Sequence, residues 1–86
     1  MRELLLTTQA LEDLQWWIQN DKRIALKITE LFEELPTSPF SGKGKPEALK
    51  YNLSGCWSRR ITDEHRIVYE VTETYIRILS CQFHYK

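Results

Sequence analysis

The strongest constraint on the fold is a stripe of apolar residues in the first half of the chain. These residues recur every three or four positions, as on one face of an α-helix, and they are Ile24, Ile28, Leu31, Phe32 and Leu35. Pro36 must end this helix because it has no N–H and its ring clashes with the preceding turn. A helix with one apolar face has to bury that face against another element, so the stripe predicts a layered fold.

A second helical pattern precedes this one, over residues 9–19. Its apolar positions are predicted to face the core and its polar positions to face water; the former are Leu11, Leu14, Trp17 and Ile18, the latter Glu12, Asp13 and Gln15. Thr8 is the predicted N-cap, and Asn20 or Asp21 is predicted to break the pattern and cap the next helix. A break this short predicts an αα-hairpin.

The rest of the chain is rich in strand-forming residues. "RELLLT" predicts a buried first strand, and a long surface loop, "PTSPFSGKGKP", follows the helices. Four further strands are predicted in "EALKYNL", "CWSRRIT", "HRIVYEVT" and "TYIRILSCQFHY". The order β-α-α-β-β-β-β predicts an α+β fold, in which two N-terminal helices pack on one face of a mainly antiparallel sheet of about five strands.

Length and composition limit the protein to a few classes. Eighty-six residues predict one domain, 1–86, because a chain of this size holds a single core. The N-terminal apolar run is too short for a signal peptide or a membrane span, so a cytoplasmic protein without a membrane partner is predicted. Cys56 and Cys81 lie 25 positions apart with no histidines at zinc spacing, which favours two reduced thiols over a disulfide or a metal site.

Charge is unevenly distributed, although the formal net charge is zero. Residues 1–40 contain four basic and seven acidic side chains, whereas residues 41–66 contain six basic and three acidic ones. The basic side chains of the second segment are Lys43, Lys45, Lys50, Arg59, Arg60 and Arg66. A local cationic surface attracts phosphate within a Debye length of about 8 Å whatever the overall charge. These side chains are predicted to lie on strands whose face is not covered by the helices.

One set of side chains suits the cleavage of RNA without a metal ion. The set comprises Glu47, Lys50, Arg60, Arg66, His84 and Tyr85. Such a reaction needs a base for the 2′-hydroxyl proton, a cation for the charge on phosphorus and an acid for the leaving 5′ oxygen. Glu47, Arg66 and His84 can fill these three roles in that order, since an arginine fork matches two phosphate oxygens and a histidine can donate at neutral pH.

Each of these residues taken alone has a common structural explanation. A glutamate in a strand is usually solvated surface, a C-terminal His-Tyr is usually a frayed end, and Arg59 and Arg60 could flank a core Trp57 for solubility. The pairing of Arg60 also stays open. A two-residue turn at Asp63 and Glu64 would place Arg60 and Arg66 on opposite faces, whereas a three-residue loop would place them opposite each other.

Three stretches resemble a known family. "NDKRIALKI", "PFSGKGKPEALKYNLSGCWSRRITDEHRIVYEVT" and the terminal "CQFHY" are similar to the YoeB family of bacterial toxins, within the RelE-like superfamily of mRNA interferases. The resemblance covers essentially the whole chain. It implies an endoribonuclease that cuts translated mRNA in the ribosomal A site. The residues themselves predict no metal or cofactor, because His65 and His84 have no cysteine or carboxylate at ligand spacing.

The same resemblance implies roles and partners. Glu47 would be the general base, Arg66 the transition-state stabiliser and His84 the general acid. The predicted supporting residues are Lys50, Arg60, Tyr85, Lys43, Lys45 and Arg59. The predicted partners are an antitoxin of the YefM or Phd type, the ribosome with its mRNA, and a second copy of the chain. The alternatives are a non-catalytic relative, such as the ParE-type proteins that bind DNA gyrase, and a plain RNA- or ribosome-binding module.

Overall fold

The computed structural model describes residues 1–50 and 53–82. Within these residues, two helices and five strands follow one another in the predicted order. They are β1 (Glu3–Leu6), α1 (Thr8–Asn20), α2 (Lys22–Glu34), β2 (Glu47–Ala48), β3 (Cys56–Arg60), β4 (Arg66–Val71) and β5 (Tyr75–Ser80). The predicted α+β class is confirmed, with two helices and one five-stranded sheet. No helix among the described residues is both long and apolar enough to cross a membrane.

The strands lie in the order β1-β5-β4-β3-β2, so the last four strands form an antiparallel meander. β1 pairs in parallel with β5 and lies at the edge of the sheet. The prediction of a buried first strand is wrong, because this edge position leaves Leu5 and Leu6 exposed. β2 is also shorter than predicted: of residues 47–50, only Glu47 and Ala48 pair with β3 as a strand, although the N–H of Leu49 donates to the carbonyl of Cys56. Tyr51 and Asn52 of the predicted strand lie outside the described residues.

Both helices form as an αα-hairpin, and Asp21 caps α2 by accepting from the N–H groups of Arg23 and Ile24. The predicted cap of α1 is one residue off: Thr7, not Thr8, accepts from the N–H of Ala10. Thr7 Oγ1 also donates to the carbonyl of Leu79 in β5, which fixes the start of α1 on the sheet. The helix therefore begins where the chain leaves β1.

The core lies between the helices and one face of β3, β4 and β5. The predicted stripe of α2 is confirmed: Ile28, Leu31, Phe32 and Leu35 are buried, and Ile24 packs against them. The face predicted for α1 is partly wrong. Leu11 and Ile18 are exposed, while Ala10, Trp17 and the predicted surface residue Asp13 are buried.

The β3–β4 hairpin settles the open question of register. Arg60 pairs with Arg66, and the N–H of Ile61 donates to the carbonyl of His65 at 2.9 Å. This is the pairing expected for the three-residue loop, and the two-residue turn at Asp63 and Glu64 is excluded. Arg60 and Arg66 therefore extend from the same face of the sheet.

Candidate functional site

The register of the sheet brings a carboxylate and two guanidinium groups to one face. Glu47 pairs with Ser58, and Ser58 pairs with Val68 on the next strand. Arg60 lies two residues after Ser58 in β3, and Arg66 lies two residues before Val68 in β4. Residues two apart in a strand share a face. Glu47, Arg60 and Arg66 therefore share the face opposite the buried Tyr69 and Ile67, which pack in the core beneath the helices.

The spacing of these groups suits a phosphodiester. Glu47 and Arg66 are two strands and two residues apart, which for ordinary strand geometry is about 12 Å between Cα atoms. An extended arginine covers roughly half of that distance, so a phosphate held by Arg66 would lie between the two side chains. Glu47 is exposed and has no ion-pair partner within residues 1–50 and 53–82. Its carboxylate is therefore available to accept a proton.

The two paired arginines each carry a buried N–H group without an acceptor. Nε of Arg60 and Nη1 of Arg66 are shielded from solvent, and neither has a hydrogen-bond partner in the described part of the chain. Like charges directly opposite each other on neighbouring strands are destabilising, and a buried donor without a partner costs about 1–3 kcal/mol. An anion bound between them would offset both costs. This local arrangement is what an oxyanion-binding site requires.

The GKGK segment (residues 42–45) approaches the end of β3 closely. Gly44 accepts from the N–H of Arg60 at 2.6 Å, and a Cβ at Gly44 would lie 2.7 Å from the carbonyl oxygen of Arg60. Gly44 has a φ of 85°, and Lys45 follows with a φ of 51°. Only glycine tolerates both this contact and this backbone conformation without strain, so the glycine of the motif is required by the approach.

Exposed lysines accompany this segment. Lys43 and Lys45 are exposed, and they line a cleft of about 380 Å³ between the segment, the end of β3 and α2, which Arg60 and Lys27 also line. Lys50 is exposed as well, at the limit of the described residues 1–50. The prediction that the basic side chains lie on uncovered strands is wrong for these lysines, since Lys43 and Lys45 lie in the loop before β2 and Lys50 follows β2. The cleft also contains the acids Glu30 and Glu34 of α2, and Glu47 is not among its lining residues.

Arg59 does not belong to this surface. The sequence predicts that it supports substrate binding, but its side chain is 0% exposed and it extends toward the helices rather than the open face. Its guanidinium donates to the Glu34 carboxylate at 2.8 Å and to loop carbonyl groups. The alternation of β3 contains the signal that was overlooked: if Trp57 faces the core, Arg59 faces it too.

The described residues do not test three predictions about the site, namely the roles of His84 and Tyr85 and the absence of a metal or cofactor. His84 and Tyr85, the predicted acid and a supporting residue, are outside the described residues. Among residues 1–50 and 53–82, no group of three or more His, Cys, Asp or Glu side chains is placed to hold a metal ion. Whether the chemistry proceeds without a metal or cofactor stays a prediction, as do the roles of the other site residues.

Cys56 and Cys81 are both free and buried. The thiol of Cys81 contacts the carbonyl oxygen of Ala10 at 3.6 Å, and burial raises its pKa to about 12. A thiol with so high a pKa is neutral at physiological pH and therefore a poor nucleophile. Cys81 therefore contributes to packing and not to catalysis.

Comparison with known proteins identifies the family of the chain. The sequence profile described as "YoeB-like toxin of bacterial type II toxin-antitoxin system" matches residues 6–85. Toxin YoeB of Escherichia coli strain K12 is 51% identical over 83 residues, which cover 96% of this chain and 99% of that protein. The structure titled YoeB dimer from Staphylococcus aureus superposes with a TM-score of 0.87 at 45% identity, covering 98% of both chains. The YoeB-YefM complex from Staphylococcus aureus gives a TM-score of 0.85 at 43% identity, covering 99% of both. Because the profile spans nearly the whole sequence and these relatives match it from end to end, the chain belongs to the YoeB-like toxins of bacterial type II toxin-antitoxin systems.

Proposed function

We propose that this toxin is an endoribonuclease that cleaves translated mRNA in the ribosomal A site. The observation that carries the proposal is the pairing of Arg60 with Arg66 on the face that also bears Glu47, with one buried, unpaired N–H on each arginine. A carboxylate beside two unsatisfied cations is suited to an RNA phosphate and its neighbouring 2′-hydroxyl.

The proposed chemistry gives each residue one role, and the roles of His84 and Tyr85 come from the sequence and its family resemblance alone. Glu47 takes the proton of the 2′-hydroxyl, whose oxygen then attacks phosphorus. The bond from phosphorus to the 5′ oxygen breaks, and His84 gives that oxygen a proton. The products are a 2′,3′-cyclic phosphate and a free 5′-hydroxyl. Arg66, with Arg60 and Lys50 supporting it, stabilises the additional negative charge on the phosphate oxygens in the transition state. Tyr85 is proposed to support His84.

The ribosome supplies what the small domain lacks. Glu47 is exposed on a two-residue strand at the edge of the sheet, so little of the described chain surrounds its carboxylate. An open face holds a flexible RNA poorly, and fixing the geometry of reacting groups contributes a large part of many catalytic accelerations. We expect cleavage on ribosomes carrying mRNA to be much faster than cleavage of free RNA. Equal rates on the two substrates would contradict the requirement for the ribosome.

Protein partners are proposed from the relatives. The Staphylococcus aureus structures are titled as a YoeB dimer and as a YoeB-YefM complex. We propose that this chain likewise self-associates and binds a YefM-like antitoxin. An acidic antitoxin segment would neutralise Lys43, Lys45 and Arg60 and cover Glu47, because charge complementarity directs such contacts. A complex in which the antitoxin touched only the helices would contradict this mode of inhibition.

The decisive experiment replaces Glu47 by glutamine. Glu47→Gln keeps the shape of the side chain but cannot take the proton, so single-turnover cleavage on mRNA-bound ribosomes should fall by about 100- to 10,000-fold. Glu73→Gln, on the exposed turn between β4 and β5, is the matched control and should cleave like the wild type. Ribosome binding should be kept in both variants.

The alternatives predict a different pattern. A gyrase-binding relative would arrest growth without new mRNA ends, and a plain ribosome-binding module would bind ribosomes without cutting the mRNA even as the wild type. Mapping mRNA 5′ ends after induction of the wild type distinguishes these classes. If Glu47→Gln cleaved at nearly the wild-type rate, the assignment of Glu47 as the base would be wrong.

A further inference from the structure

The most completely bonded side chain in the described structure is a buried arginine without a role in the chemistry above. Arg59 is 0% exposed, so it cannot reach an RNA phosphate. Its guanidinium donates to five acceptors, which lie on α2, the loop after α2 and β4. They are the Glu34 carboxylate, the carbonyls of Ser38, Ser41 and Lys43, and the hydroxyl of Tyr69.

These hydrogen bonds hold the loop that leads to the site. Arg59 bonds the carbonyl of Lys43 at 3.4 Å, and the next residue, Gly44, accepts from the N–H of Arg60. Three residues later, Glu47 pairs with Ser58. The chain from 43 to 47 is thus attached to three consecutive residues of β3.

The strand that carries Glu47 is too short to position it alone. β2 has two residues, both exposed, and two-residue pairings are weak without other support. The segment before it has to be held by something else, and the buried guanidinium is placed to hold it. Tyr69 completes the arrangement, because its hydroxyl donates to the carbonyl of Pro39 at 2.6 Å and accepts from Arg59 at 3.3 Å.

Stability alone is a weak reason for a buried arginine here. Taking a charge out of water is costly, and apolar residues of similar volume often replace a buried ion pair with no loss of stability. A planar fork with fixed donor directions, in contrast, specifies where several carbonyl groups lie. Gly42 is fitted to the same cluster: its φ is 112°, and a Cβ there would overlap Glu34 Oε1.

We propose that Arg59 is a positioning residue, whose buried guanidinium fixes the loop 38–43 and thereby sets the positions of the GKGK segment and of Glu47. The inference rests on the proposed ribonuclease activity. It predicts that loss of the fork leaves the charge that attracts RNA in place while Glu47 loses its fixed position.

Arg59→Lys tests this, because lysine keeps the charge but has no fork. Single-turnover cleavage on mRNA-bound ribosomes at saturating enzyme should fall by roughly 10- to 100-fold, as for a misplacement of about 1 Å. The half-saturating enzyme concentration should change by less than about threefold, since Lys43 and Lys45 remain and electrostatic attraction tolerates small displacements. Amide hydrogen exchange over residues 38–46 should become faster.

Two further variants separate positioning from general destabilisation. Gly42→Ala disturbs the same cluster from the loop side and should reproduce both effects. Ile76→Val removes one methyl group from the core on β5, far from the loop, and should leave cleavage and loop exchange at wild-type levels. All variants are compared at a temperature where circular dichroism shows them folded, and if Arg59→Lys does not fold, Gly42→Ala decides the question.

The possible failures are distinguishable. If the wild type does not cleave on ribosomes, the proposed function fails. The exchange measurement still tests whether Arg59 holds the loop 38–43. If the wild type cleaves and the folded Arg59→Lys variant matches it in rate, the positioning role is overturned. Unchanged hydrogen exchange of the loop would overturn it as well. So would a rise in the half-saturating enzyme concentration without any fall in the cleavage rate at saturation.

Discussion

Two neighbouring arginines in β3 show how position in a strand decides what a side chain can do. Arg59 points into the fold and is satisfied by five protein acceptors, while Arg60 extends from the opposite face of the sheet and its Nε–H has no partner among the described residues. Both have the same charge. Arg59 stabilises the fold, whereas Arg60, together with Arg66, can bind an anion.

Arg66 should be needed for catalysis more than for binding. Loss of a donor aimed at developing charge costs about 3–4 kcal/mol in the barrier, so Arg66→Ala should slow single-turnover cleavage by several hundredfold. Arg77→Ala on β5 is the control, because Arg77 is half-exposed and its ion pair with Glu70 is at the surface. Comparable rates for Arg66→Ala and the wild type would remove Arg66 from the mechanism.

The buried thiol of Cys81 should make the fold sensitive to alkaline pH. Burial, with a smaller contribution from the Asp13 carboxylate, raises its pKa from 9.0 to about 12. Between these values the unfolded chain loses the proton and the folded chain keeps it, so stability falls as pH rises from about 9 towards 12. The loss is about 1.4 kcal/mol per pH unit at most from this group.

Thermal unfolding at pH 8 and pH 10 measures this effect. The fall in Tm between the two should be smaller by roughly 5 °C in Cys81→Ala than in the wild type. Cys56→Ala is the matched control: the pKa of Cys56 is also raised by burial, but less strongly, so its removal should change the pH dependence less. Identical pH dependence in Cys81→Ala and the wild type would contradict this account.

At the scale of elements, α1 shows where sequence periodicity misleads. The spacing of apolar residues predicts that Asp13 faces water, yet Asp13 is buried and accepts from the N–H of Cys81 at 3.0 Å. Trp17 donates from Nε1 to the carbonyl of the same residue at 2.8 Å. With the bond from Cys81 Sγ to the carbonyl of Ala10, α1 is therefore attached to the chain just after β5 by three hydrogen bonds, which a hydrophobic pattern cannot reveal.

Asp13 should consequently stabilise the packing of α1 on the sheet. Asp13→Ala leaves the buried N–H of Cys81 without its acceptor, which should lower the free energy of unfolding by about 1–3 kcal/mol. Glu12→Ala is the control, since Glu12 is the adjacent, exposed acid on the same helix. Urea denaturation measures both, and equal stability of the two variants would show that this hydrogen bond contributes little.

Across the whole molecule, the fold was more predictable than the site. The α2 stripe and its proline, and the succession of four β-rich runs, depend on local chemistry, so the class and order of elements followed from sequence. The exposed edge position of β1 depends on its parallel pairing with β5, some 70 residues away, which no local pattern specifies. The common face of Arg60 and Arg66 depended on one residue of loop length, and sequence left that open.

The asymmetric charge of the molecule gives a prediction that belongs to the whole chain. Lys43 and Lys45 lie in the GKGK segment that leads to Glu47, whereas Lys22 and Arg23 lie at the start of α2, and all four are exposed. Neutralising either pair changes the net charge by the same amount. If position matters, only the first pair should affect RNA binding.

Lys43→Gln/Lys45→Gln should therefore weaken binding to mRNA-bound ribosomes and reduce the slope of log affinity against log salt by about one for each phosphate that is no longer neutralised. Lys22→Gln/Arg23→Gln should keep both the affinity and the slope. Cleavage at saturating enzyme should stay near the wild-type rate in both double variants, because neither removes Glu47, Arg66 or His84. Titrations at several salt concentrations measure the slopes. Equal weakening by the two pairs would mean that the ribosome responds to net charge alone, and Lys43 and Lys45 would then have no specific part in RNA binding.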